Sequence, residues 1–75
     1  MKTTKQIESD IDHAQFNSVA YTRIEWLDYS ESEAAIAADV LAVQADGSAE
    51  NGDVTEYWGA NDDGAEWRIH VRVTE

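Results

Sequence analysis

The chain has 75 residues, no cysteine, no proline and a formal net charge of −11. A chain of that length holds one domain, and without cysteine it has neither a disulfide staple nor a thiolate metal site. Its charge repels DNA, RNA and acidic membranes and draws in basic partners.

At 43% apolar residues, with three Trp, the composition is that of a folding chain and not of a disordered acidic tail. No apolar run approaches the ~20 residues that span a bilayer. Met1-Lys2-Thr3-Thr4 is not followed by an apolar signal region, so the expectation is a soluble, cytoplasmic protein.

Residues 4–15 predict a helix. Thr3 and Gln6 stand at capping-box spacing, and Ile7, Ile11 and Ala14 follow on one face, with Phe16 closing the stripe. Residues 19–27 predict a strand, β-branched and aromatic, with Ala20, Thr22, Ile24 and Trp26 on one face. Asp28 to Ser32 is a polar loop.

Residues 33–45 carry two signals. Ser30 and Glu33 form a second capping-box spacing, alanine is abundant, and Gly47 offers a stop; on propensity alone the helix wins. The Ile36-Ala38-Val40-Ala42 alternation supports a strand, and the strand is preferred because a four-strand meander then uses every segment. Residues 46–53 predict a loop.

Val54–Trp58 and Glu66–Thr74 are the clearest strands. The Asn61-Asp62-Asp63-Gly64 turn between them has Gly where φ must be positive. In the last strand Trp67, Ile69, Val71 and Val73 alternate with Arg68, His70, Arg72 and Thr74, so one face is core and the other wet. The expected architecture is α+β: an N-terminal helix on a three- or four-stranded antiparallel sheet. Its core draws on Ile7, Ile11, Phe16, Ile24, Trp26, Trp67, Ile69, Val71 and Val73.

Catalytic and metal patterns are missing. There is no G-x-S-x-G elbow, no H-E-x-x-H and no phosphate loop. His13 lies on the helix and His70 between Arg68 and Arg72, where a basic stripe pairing with carboxylates across the strands explains it. Asp62-Asp63 ahead of Gly64 is explained by the turn. A calcium loop requires Asp five residues before its glycine, but Gly59 and Gly47 stand there. The reading is a non-enzyme with no cofactor and no metal.

The carboxylates are unevenly placed. The first 23 residues balance three basic against three acidic side chains, whereas Ile24 to Trp67 contains twelve acids and no Lys or Arg. Eleven of the twelve are the candidate partner-binding residues: Glu25, Asp28, Glu31, Glu33, Asp46, Glu50, Asp53, Glu56, Asp62, Asp63 and Glu66. Asp39 is the twelfth. Side chains two apart on a strand sit roughly 6.6 Å apart, and DNA presents one charge per ~3.4 Å of rise per strand, so such acids can approach phosphate spacing.

In size, charge and element order the chain resembles the small acidic inhibitors made by phages: uracil-DNA glycosylase inhibitor, anti-restriction proteins and acidic anti-CRISPR proteins. The resemblance covers type and not motif, so no family's functional positions transfer to it. It implies an anti-defence inhibitor, of phage or mobile-element origin, that blocks a basic nucleic-acid-binding protein (a nuclease, Cas effector or glycosylase) by DNA or RNA mimicry. The competing expectation is a small structural or accessory domain, with dimerisation through a sheet edge as one form, whose acids serve only solubility or salt adaptation.

Overall fold

The computed structural model describes residues 1–74. Helix α1 (Thr4–Tyr21) leads into β1 (Glu25–Tyr29) and α2 (Glu31–Gln44). The chain then forms β2 (Gly47–Asn51), β3 (Val54–Ala60) and β4 (Glu66–Val73). The four strands form one sheet in the order β1-β4-β3-β2. Strands β2, β3 and β4 are antiparallel neighbours, whereas β1 joins β4 in parallel, with Leu27 opposite Val71. The class is α+β with an N-terminal helix on a four-stranded sheet, and the sheet is mixed.

Helix α1 starts as its capping box dictates: Thr3 Oγ1 accepts from the Gln6 N–H, and Gln6 Oε1 accepts from the Thr3 N–H. It runs six residues further than its apolar spacing predicts. The buried stripe is Ile7, Ile11, Ala14 and Ser18, so a polar residue takes the fourth place. Ser18 Oγ donates to the Arg23 carbonyl at 2.7 Å and accepts from the Arg68 N–H at 2.8 Å. That hydroxyl satisfies backbone groups which β1 begins too late to reach. Residues 19–21, read as strand, are therefore helix, and Phe16 lies off the stripe at 66% exposure.

The end of α1 is a Schellman motif: Arg23 N–H bonds to the Ser18 carbonyl and Thr22 N–H to that of Val19. Thr22 takes the left-handed position, at φ 52°. The irregular residues that follow set the parity of β1, whose inward residues are Glu25, Leu27 and Tyr29. Trp26 and Ile24, expected in the core, are consequently 49% and 39% exposed. Tyr29, assigned to a loop, is buried in their place.

Residues 33–45 are helical, against the preferred strand reading. Both halves of the Ser30–Glu33 capping box form, and Ala37 and Leu41 are fully buried. Small alanines let α2 sit close to its neighbours, and Gln15 Nε2 donates to Gln44 Oε1 to link the two helices. The predicted 46–53 loop contains β2, an edge strand of Gly-Ser-Ala-Glu-Asn held by pairing with β3. Gly52 at φ 67° supplies the two-residue hairpin turn that joins them.

Both helices pack on one face of the sheet. The core between them is Ile7, Ile11, Ala14, Tyr29, Ala37, Leu41, Tyr57, Trp67, Ile69 and Val71, with Val73 partly buried. The opposite face of the sheet is uncovered.

Candidate functional site

The acidic residues divide by what they already hold. Glu25 accepts from Arg23 Nε at 2.6 Å, within two residues of chain. Asp28 takes both Arg72 nitrogens, Nε at 2.8 Å and Nη2 at 3.1 Å, and raises the Arg72 pKa. Glu33 accepts from the Lys2 N–H at 2.6 Å and the Ser30 N–H at 3.0 Å, which hold its carboxyl below the usual range. Glu56 lies 3.3 Å from His70 Nε2. Asp63 accepts from the Ala65 N–H and so shapes its own turn.

Glu31, Asp46, Glu50, Asp53, Asp62 and Glu66 are exposed, and their carboxylates make no hydrogen bond or ion pair among the described residues. Asp46, Glu50 and Asp53 follow β2, the free edge of the sheet. Asp62, Asp63 and Glu66 follow the β3–β4 turn, beside the start of β2, while Glu31 opens α2 at the far end of β1. The structure thus brings one group of acids to a sheet edge and its adjoining turn. It leaves Glu25, Asp28, Glu31, Glu33 and Glu56 outside that group.

The uncovered sheet face has a different character. Its centre is Trp26, His70, Arg72 and Glu56. The Trp26 and His70 rings meet edge to face at 4.7 Å, and the Arg72 guanidinium lies 5.1 Å from the Trp26 ring centre. Trp58 spreads over Gly47, where a Cβ would come within 2.6 Å of its ring. Of the three expected basic-stripe residues Arg72 pairs with Asp28 across strands, and His70 sits beside Glu56, an ion pair only when the imidazole is protonated. Arg68 has no carboxylate partner among the described residues. The sequence pattern does not show this aromatic face, because its alternation places Trp26 inward. The Trp26–His70 register follows only once β1 is seen to pair with β4.

A cleft of about 350 Å³ opens where the first residues of β4 outrun β1, lined by Ser18, Arg23, Asp46, Trp58, Glu66 and Arg68 among others. Its rim mixes two cations with two carboxylates and selects neither sign. Among the described residues no three His, Asp or Glu side chains converge on a metal-sized space, and no helix is long and apolar enough to cross a membrane. His13 is exposed on α1.

A further electrostatic link lies away from these surfaces. Tyr29 Oη donates to Asp10 Oδ2 at 2.8 Å, and Lys2 Nζ donates to the same oxygen at 2.6 Å. Burial and then the Asp10 carboxylate push the Tyr29 phenol far above its ordinary value. Burial alone would raise the Asp10 carboxyl, but the hydrogen bonds from Lys2 and Tyr29 outweigh it and the net shift is downward.

Comparison with protein-family models, curated proteins and solved structures finds no match to this chain.

Proposed function

We propose that the protein is a small acidic interaction module that occupies the nucleic-acid groove of a basic partner, as an inhibitor of the anti-CRISPR or related anti-defence type. The observation that carries the reading is the line of exposed carboxylates at Asp46, Glu50 and Asp53, continued by Asp62, Asp63 and Glu66 around the adjoining turn, of which only Asp63 makes a hydrogen bond, within its own turn. Four residues of strand separate Asp46 from Glu50 by about 13 Å, a length along which one DNA strand presents about four phosphates. Glu50 and Glu66 lie on paired strands, and Asp46, Asp53, Asp62 and Asp63 lie in the short segments that flank them, so little order is lost when a partner binds them. The proposed partner is a nuclease, Cas effector or glycosylase, and the setting is the cytoplasm of a phage-infected cell.

A second reading is supported by the same geometry. Glu25, Asp28, Glu33 and Glu56 serve the chain's own pairs and caps, and Glu31 lies at the opposite end of the sheet from Asp62. Such scatter suits a structural or accessory domain whose acids keep it in solution.

Capture of partners from host lysate on the tagged chain, followed by elution with DNA or RNA, separates the two. Mimicry expects basic nucleic-acid-binding proteins that nucleic acid displaces. Solvation expects no captured protein that nucleic acid can release.

A further inference from the structure

We infer that the uncovered sheet face is a self-association surface, on which two copies of this chain pack face to face about a two-fold axis. The inference does not rest on the mimicry reading: of the edge and turn acids only Glu66 reaches this face.

Charge comes first. The face presents Trp26 and Asp28 from β1 and Glu66, Arg68, His70 and Arg72 from β4. From β3 come Val54, Glu56, Trp58 and Ala60, and from β2 come Gly47, Ala49 and Asn51. Three carboxylates meet two arginines there, a net of −1 with His70 neutral, on a chain whose total is −11. The helical side displays Glu8, Asp12, Glu31 and Asp39, and the free edge and turn display the acids described above. Two copies of so negative a chain repel each other, and repel least where this near-neutral face meets its twin. Nucleic acid is repelled by the chain as a whole, and a basic protein is drawn to the acidic edge instead. A near-neutral aromatic surface suits a partner of its own kind.

Shape and register agree. Trp26 and Trp58 are 49% and 39% exposed on this face, more apolar ring than its polar neighbours cover. A two-fold axis along the strands, between β3 and β4, lays β4 of one copy over β3 of the other and β1 over β2. At equal height Arg68 then faces Trp58 of the second copy, a cation–π arrangement. His70 faces Glu56 of the second copy. Trp26 faces Ala49 of the second copy, so the bulkiest strand meets the strand of smallest residues. Twisted sheets packed in this aligned way cross at about 30°, which preserves the strand pairing.

Four strands at about 4.8 Å spacing and five residues in length span roughly 19 by 17 Å, about 320 Å² on each copy and below the size of a standard specific interface. The association is therefore weak and salt-dependent. Its salt dependence has the opposite sign to that of mimicry, because screening relieves repulsion between the two negative copies.

Sedimentation equilibrium on the full chain tests this. The dimer fraction should rise with protein concentration and rise again when salt is added. Trp26→Asp and Arg68→Glu should each abolish it with the far-ultraviolet circular dichroism unchanged. Should Trp26→Asp disturb the fold, Arg68→Glu at an exposed position decides alone. A wild-type chain that remains monomeric at high concentration and high salt overturns the inference. So does a dimer that persists in Arg68→Glu, as one paired through the β2 edge would.

Discussion

The Tyr29 hydroxyl and the Asp10 carboxylate, 19 residues apart, meet at 2.8 Å where the end of β1 passes under α1. Each shifts the other in a direction that favours the neutral phenol and the charged carboxylate. The Asp10 carboxyl is lower in the folded chain than in the unfolded one, so its contribution is complete above about pH 4 and fades as pH falls below that. The Tyr29 phenol is raised, so its contribution is complete below about pH 10 and is lost as pH rises further. Asp10→Asn should cost about 1 kcal/mol or more at pH 7, because a hydrogen bond to a charged group is lost. It should cost much less at pH 2. A urea midpoint that differs from wild type equally at both values would detach Asp10 from acid stability.

Gly59 on β3 lies against the buried Trp67 ring, which a Cβ would approach to 2.5 Å. Trp67 is part of the buried core, so its ring must shift to admit the added methyl group. Gly59→Ala should destabilise by about 1–3 kcal/mol through overpacking. Thermal unfolding checks this, and an unshifted midpoint would mean that the Trp67 ring is held less tightly than its burial implies.

Thr22 and Gly64 form a matched pair of opposite sign. Both take positive φ, 52° and 86° respectively, but only one of them has a β-branched side chain. Thr22→Gly should stabilise by about 1 kcal/mol, the relief of a left-handed non-glycine residue. Gly64→Val should destabilise by about 1 kcal/mol or more. Nothing lies within 4 Å of a Cβ at Gly64, so that cost is backbone strain and not a clash. Denaturant midpoints that move the same way in both variants would refute the turn and cap assignments.

The β3–β4 hairpin was legible because its signals are local: a period-2 strand, then Asn-Asp-Asp-Gly. The start of α1 was legible for the same reason, from Thr3 and Gln6. Helix α2 was also written locally, in Ser30, Glu33 and the alanines, but preference for a simple meander outweighed it. What breaks the meander is the parallel pairing of β1 with β4, which requires a crossover and which no residue of β1 announces. Strand β2 has almost no β-forming side chains and owes its conformation to β3. The inversion of Trp26 follows from a helix end at Thr22 that Ser18, a polar residue in an apolar stripe, conceals. For the acidic residues, sequence showed the regional excess of charge. It could not show that Glu25, Asp28, Glu33 and Glu56 are occupied by Arg23, Arg72, the α2 cap and His70.

The most direct test of the mimicry account is the association rate with a captured basic partner, measured against salt for wild type and for Asp46, Glu50, Asp53, Asp62 and Asp63 all replaced by Lys. Surface changes of this kind shift stability by only about 0.5 kcal/mol each, and circular dichroism verifies the fold. The account expects a wild-type rate that falls steeply as salt rises, and a five-fold variant that associates far more slowly at low salt. A partner that binds both chains at the same rate, at low and high salt alike, would contradict it.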